Sequence, residues 1–176
     1  ATSCYAGMFS GCTSLTQAPE LPATELARNC YDRMFSGCTG LTQAPELPAE
    51  TLVSFCYNGM FSGCTSLTQA PELLAETLAD FCYVDMFSGC TSLTQAPELP
   101  AETLPDPCYM VMFYGCENLN SVTMLATNVN SGALDRWLYG TKEGGTLYVA
   151  NERMTTDPTI RGSLPTGWTV EVAATN

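Results

Sequence analysis

Residues 56–81, CYNGMFSGCTSLTQAPELLAETLADF, are one copy of a 26-residue stretch that recurs through most of the chain. Its opening Cys-Tyr pair stands at positions 4, 30, 56, 82 and 108, and a Gly-Cys pair follows each time in the same register. Four copies are almost identical, and the fifth, from Cys108, has drifted. A period of roughly 20 to 30 residues is typical of a solenoid, in which each coil contacts only its neighbours. The sequence therefore predicts an array of five copies over residues 1–133, the first starting at Cys4.

The first half of each copy predicts a short helix. Leu52, Cys56 and Met60 are spaced i, i+4 and i+8, which is the spacing of one helical face. Gly63 follows, and glycine supplies the left-handed backbone that often ends a helix. We therefore expect short helical segments on the outer side of each coil.

The second half of each copy predicts a short strand. Leu119, Val122 and Met124 have the spacing of a leucine-rich repeat, whose strands pair in parallel on the concave side. The earlier copies carry one extra residue before the last leucine, which predicts a bulge, and a proline such as Pro71, which keeps the strand very short. The predicted fold class is an α/β solenoid, a right-handed leucine-rich-repeat coil with 26-residue repeats.

The period fails from Leu134 onward. Residues 146–149 and 168–172 lie between turn signals and predict two strands. The only tryptophans, Trp137 and Trp168, are expected to pack over the last coil. We therefore predict that residues 134–176 form a degenerate last repeat and a small β C-terminal cap. The first coil has no such cap, so we expect that the chain starts within the array and that end-to-end self-association can occur there.

Composition excludes several classes of function. The chain of 176 residues has a net charge of −12, whereas nucleic acids and anionic membranes bind clustered Lys and Arg. It has no histidine, the commonest general base and metal ligand, and no C-x-x-C pair for zinc. It also lacks an apolar run of about 18 residues that could span a bilayer. We therefore predict no enzyme, no catalytic residue, no metal site and no cofactor.

A family pattern runs through the array: Phe9-x-x-Cys12-x-x-Leu15-x-x-Ala18 and its copies from residues 35, 61, 87 and 113. This pattern resembles the BspA-like (Treponema-type) leucine-rich repeats of bacterial surface proteins, over residues 1 to about 133. The tail GTLYV…LPTGWTVEV is similar to the cap that closes such arrays in proteins of gut Bacteroidetes. The resemblance implies adhesion or partner binding without catalysis. It also implies an exported protein, extracellular or on the cell surface, whose signal or lipoprotein leader is not within this chain.

The ten cysteines have two interpretations. In an exported protein they suggest disulfides. Equivalent cysteines of stacked coils would lie about 4.8 Å apart, within disulfide range, but their parallel Cβ directions suit a bridge poorly. We favour two columns of buried free thiols, with bridges between the columns as the alternative.

Two sets of repeated side chains are candidate binding residues. One is a column of glutamines beside a column of glutamates, expected on the concave side: Gln17, Glu20, Gln43, Glu46, Gln69, Glu72, Gln95 and Glu98. These could meet a basic partner or Ca²⁺, or form a solvated rim, and the lack of a calcium-loop motif favours the rim. The other is an aromatic column that could hold sugar rings or simply cover the neighbouring coil, and we favour the covering role: Tyr5, Tyr31, Tyr57, Tyr83 and Tyr109.

The leading hypothesis for function is a non-enzymatic binding module that adheres to a protein of a host or bacterial surface through one solenoid face. A structural spacer that displays another domain is the first alternative. Glycan binding through the tyrosine column is the second.

Overall fold

A computed structural model describes residues 2–174 of the protein. Its strands are β1 (Thr103–Leu104), β2 (Ser121–Met124), β3 (Asn128–Val129), β4 (Thr146–Val149) and β5 (Thr169–Val172). Its helices are α1 (Glu152–Thr155) and α2 (Pro158–Gly162). All of these elements are short, and they lie in the last two fifths of the chain. Residues 175 and 176, at the end of the predicted cap, and residue 1 lie outside the described residues.

Every strand pairing is parallel. β2, β4 and β5 form a three-stranded sheet in that order, with Ser121 opposite Thr146 and Thr146 opposite Thr169. β1 and β3 form a separate pair in which Leu104 lies opposite Val129. Paired strands are separated in sequence by close to one repeat length. The two strands of each pair therefore occupy equivalent places in successive copies.

The copies stack directly on one another. Phe35, Phe61, Phe87 and Phe113 form a column of parallel rings whose centroids lie 5.6 to 5.7 Å apart. Cysteines 30, 56, 82 and 108 form a second buried column and cysteines 38, 64, 90 and 116 a third. These aligned columns are compatible with a repeat fold, and they supply one continuous hydrophobic core along the stack.

The predicted helical segments are wrong. In the described residues before Glu152 there is no α-helix; Cys56 and Met60 lie in a run of turns, and Leu52 precedes that run. We call these runs turn ridges: residues 4–11, 30–37, 56–63, 82–89, 108–115 and 133–140. Packed helices need about 8 to 10 Å between axes. Since the copies stack with ring centroids under 6 Å apart, helices cannot fit, and a flatter run of turns replaces them.

A turn ridge divides its amides between two sets of acceptors. In the third ridge, Met60 N–H donates to the Tyr57 carbonyl at 3.2 Å, within the ridge. The alternate amides donate to the next ridge, as from Gly59 to Val84 at 2.8 Å and from Phe61 to Met86 at 2.9 Å. Backbone φ is positive at every fourth residue, as at Phe55, Gly59 and Gly63. Hydrogen bonds between ridges therefore join the copies as a sheet ladder would.

Proline limits the strands, as predicted. In the copies with proline, the residues around that proline form only isolated parallel bridges, such as Gln43 with Gln69. The drifted fifth copy lacks this proline and there the four-residue strand β2 forms. Gln95 bridges Ser121, 26 residues later, whereas Leu99 bridges Met124, 25 residues later. The extra residue of the repeat therefore lies between Gln95 and Leu99.

The two strands predicted in residues 146–149 and 168–172 are present as β4 and β5. Between them, α1 and α2 bury Met154 and Ile160. The Asp157 carboxylate caps α2 by accepting from the amides of Thr159 and Ile160 at 2.9 and 3.2 Å. Strand and helix side chains thereby cover the core at this end of the stack.

Both tryptophans are buried at this end, as predicted. Trp137 Nε1 donates to Ser163 Oγ at 3.0 Å, and Trp168 Nε1 donates to the Lys142 carbonyl at 2.9 Å. Each indole thus buries its ring and satisfies its only polar atom.

Candidate functional surface

The predicted glutamine and glutamate columns lie on the surface. All eight side chains are exposed, and we call them together the Gln/Glu face: Gln17, Glu20, Gln43, Glu46, Gln69, Glu72, Gln95 and Glu98. The backbone holds their register, because Gln43 bridges Gln69 and Gln95 bridges Ser121. The Gln43 amide donates to Gln69 Oε1 at 3.0 Å, so these two glutamines are also joined through their side chains. The face therefore presents repeated amide donors and acceptors beside repeated carboxylates.

A shallow cavity of about 370 Å³ lies at the first two copies of this face. Gln17, Glu20, Gln43 and Glu46 line it, together with prolines of the same segments, including Pro19 and Pro45. Proline loses no side-chain freedom on binding, so its ring offers a rigid apolar wall beside the polar groups. The sequence predicted the columns; the structure adds that two glutamines and two glutamates share one concave site.

Calcium is not held here by a ready-made cage. Within residues 2–174, no three side chains among His, Cys, Asp and Glu are grouped so that they could hold a metal ion. A hard cation such as Ca²⁺ takes six to eight oxygen ligands, and its sites combine several carboxylates. The chemistry that the face offers is therefore hydrogen bonding and attraction of positive charge.

Exposure of the tyrosine column, the less favoured of its two interpretations, is wrong. Only Tyr5 is exposed; Tyr31, Tyr57, Tyr83 and Tyr109 are buried. The rings do stack from copy to copy, with centroids 5.6 to 6.0 Å apart. Because the ridges pack these rings between neighbouring copies, the column covers the core and offers no continuous surface to a sugar.

An exposed aromatic pair lies elsewhere, at a position where tyrosine does not recur through the array. Tyr114 and Tyr139 are 41% and 62% exposed, and their rings stack with centroids 5.4 Å apart. The earlier copies have serine at this ridge position, as at Ser62 and Ser88. The change from serine to tyrosine in the last two ridges is the sequence signal that could have found this pair.

The cysteines form no reactive site in the core. The eight buried cysteines, from Cys30 to Cys116, are free thiols. Those of the third column donate to backbone carbonyls, as from Cys64 Sγ to Phe35 at 3.2 Å. Burial raises the pKa of Cys64 and Cys116 to about 12. The thiolate is the reactive form of cysteine, so these side chains act as small apolar core residues.

Comparisons with protein-family models, with curated proteins and with solved structures each find no match to this chain. Among the residues that the structure describes, no helix is long and apolar enough to cross a membrane.

Proposed function

We propose that this protein is a non-enzymatic binding module that recognises a protein partner through the Gln/Glu face. The proposal includes the family and the fold: a right-handed leucine-rich-repeat solenoid of the BspA-like type, exported and extracellular or attached to a cell surface. The stacked columns, the parallel pairings at the repeat spacing and the closing strands β4 and β5 support this fold.

The register of the Gln/Glu face is the observation that carries the binding function. Eight exposed polar side chains repeat along the stack, and Gln17, Glu20, Gln43 and Glu46 share a concave site. Like charges repeated at strand spacing repel one another. A partner with basic side chains would relieve this repulsion, and the exposed glutamine side chains can pair with main-chain amides and carbonyls of that partner.

A structural spacer is the alternative that the same fold allows. A spacer needs only a stable stack, so changes on the exposed columns would leave its function intact. The continuous core supports both proposals equally. The Gln/Glu face distinguishes them, because only the binding module depends on it.

Adhesion to an array of immobilised extracellular-matrix proteins and glycans tests the proposal. The variant changes Glu20, Glu46, Glu72 and Glu98 to glutamine. The control changes the other four glutamates of these segments, which are also exposed: Glu25, Glu50, Glu76 and Glu102. We expect the variant to lose adhesion by about tenfold or more while the control keeps it. Equal adhesion of wild type, variant and control would exclude the binding module and leave the spacer.

A further inference from the structure

The last turn ridge, residues 133–140, has backbone amides that donate to no acceptor in the described part of the chain. At the preceding junction, Val111 donates to the Asp135 carbonyl at 2.9 Å and Phe113 to the Trp137 carbonyl at 2.8 Å. Carbonyls of the last ridge thus accept hydrogen bonds from amides of the fifth ridge, in the same way as at the earlier junctions between ridges. The outward amides of the last ridge find no hydrogen-bond acceptor among residues 2–174. Those of Leu134 and Leu138 belong to buried residues, whereas two belong to exposed residues that line the groove described below, and we call these two the open amides: Arg136 and Gly140.

The hydrogen bonds between ridges end at the open amides because the chain leaves the ridge pattern after the last ridge. After Thr141 it turns back to β4 and then forms α1 and α2, so no seventh ridge stacks on the last one among the residues up to 174. β5 continues the sheet for one further copy, but only on the strand side. An unpaired row of backbone groups is a template for another chain, as at the edge of a sheet.

A groove of about 1110 Å³ lies beside this row. Leu134, Arg136 and Gly140 line one side, and the segment from Pro158 to Thr166, which includes most of α2, lines the other. The hydrogen bond of 3.0 Å from Trp137 Nε1 to Ser163 Oγ joins the two sides. Pockets for drug-sized ligands are about 300 to 1,000 Å³, so this groove has room for a peptide segment.

The groove is acidic. Its lining contains three carboxylates, Asp106, Asp135 and Glu143, against the single guanidinium of Arg136. Tyr139, the more exposed ring of the aromatic pair, stands at the same site and offers a flat apolar surface. We call the three acidic side chains the groove carboxylates.

We propose that this groove binds a basic peptide segment of a partner protein. Main-chain carbonyls of the segment accept from the open amides, as the carbonyls of the next ridge do at every internal junction. Lysine or arginine side chains of the segment meet the groove carboxylates. This site is separate from the Gln/Glu face, and it is the end of the stack that recognises the segment.

A second copy of the chain fits this site less well than a peptide. The first ridge of a second copy would bring the strand half of its own coil with it. That half would occupy the space in which β5 and α2 already lie, since β5 pairs where the next strand of the stack would stand. A single peptide segment needs only the ridge half of the groove.

The test uses the labelled octapeptide Lys-Ser-Gly-Lys-Ala-Ser-Gly-Lys at physiological salt. Its glycines, four residues apart, allow the left-handed backbone that the ridges adopt, as at Gly59 and Gly63. Hydrogen exchange of the wild-type protein is measured by NMR with and without the peptide. We expect exchange at the open amides to slow about tenfold at saturation. Unchanged exchange at both open amides, Arg136 and Gly140, would overturn the proposal.

Two triple variants distinguish binding in the groove from general attraction of a basic peptide to a chain of net charge −12. One carries Asp106→Asn, Asp135→Asn and Glu143→Gln; the control carries Glu46→Gln, Glu72→Gln and Glu98→Gln. We expect the peptide Kd to rise about tenfold in the first and less than about twofold in the control. Equal losses in both variants would overturn the proposal. The control variant also removes three carboxylates of the Gln/Glu face, so the proposed function can fail independently.

Discussion

Gly63 lies directly against Gly37 in the stack: a Cβ added to Gly63 would stand 3.6 Å from the Gly37 Cα. Gly63 also has a φ of +75°, in the left-handed region. Equivalent glycines occupy the same place in the neighbouring ridges, including Gly89 and Gly115. The ridge closes at these glycines because the backbone must turn left-handed while it touches the copy before it.

Replacement of Gly63 by alanine should therefore destabilise the protein. The left-handed backbone costs an L-residue about 1 to 2 kcal/mol, and we expect a loss of that size in the free energy of unfolding, measured by urea denaturation. Gly162→Ala is the matched control, because Gly162 ends α2 with no atom within 4 Å of an added Cβ. Equal stability of Gly63→Ala and Gly162→Ala would contradict a left-handed turn at the end of each ridge.

The hydroxyl groups of Tyr57 and Tyr109 are buried and have no hydrogen-bond partner in the described part of the chain. A buried polar group without a partner costs about 1 to 3 kcal/mol. We therefore expect Tyr109→Phe to raise the free energy of unfolding by about 1 kcal/mol, with the stack unchanged. Tyr5→Phe, at an exposed position of the same column, should be neutral. A Tyr109→Phe protein that is less stable than wild type would show that this hydroxyl has a partner.

Stability should fall as the pH rises above about 8.5, the ordinary pKa of a thiol. Burial raises the pKa of Cys64 and Cys116 to about 12, and raises the pKa of Cys56 and Cys82 as well. At a pH between about 8.5 and about 12, the thiols of the unfolded chain lose protons that the buried thiols of the folded chain keep. Each such thiol then lowers the free energy of unfolding by up to about 1.4 kcal/mol per pH unit.

Urea denaturation at pH 7, 8.5 and 10 measures this dependence. Cys64→Ala removes one titrating thiol, so its stability should decline less steeply with pH than that of wild type, even if it starts lower. A stability that stays constant from pH 7 to pH 10 would show that the core thiols are not held protonated.

The same burial should divide the cysteines by reactivity. Cys12, in the first copy, is exposed, whereas the eight cysteines from Cys30 onward are buried. A thiol reagent added to the native protein should label Cys12 rapidly and the buried eight only as fast as the protein opens. In denaturant without reductant, all ten cysteines of the chain should react. A count below ten would reveal disulfides and contradict the free-thiol interpretation.

Most of the stacking could be predicted from the sequence because the repeat is nearly exact. Equivalent residues of identical copies must fall into columns, which places Phe61 over Phe35 and Gln69 over Gln43. The helix prediction failed because a period of four residues fits both an α-helix and the turn ridge. Leu52, Cys56 and Met60 satisfy either, and only the distance between copies excludes the helix.

The surface was less predictable than the stack. A column of tyrosines in the sequence gives no sign of which side of the ridge it faces, and the structure buries Tyr57 completely. The groove at the last ridge was not predicted, because it depends on where the ridge pattern stops and on how α2 folds back. Both depend on the part of the chain that lies after the repeats, so the 26-residue repeat carries no information about them.

Carboxyl footprinting of a complex tests most directly the claim that the Gln/Glu face binds the partner. The protein, alone and with a partner found on the adhesion array, is labelled with carbodiimide and glycine ethyl ester, and each glutamate is quantified by mass spectrometry. We expect the partner to protect Glu20, Glu46, Glu72 and Glu98, while Glu25, Glu50, Glu76 and Glu102 are labelled as before. Protection of the second set alone, or of neither set, would show that the Gln/Glu face does not bind the partner.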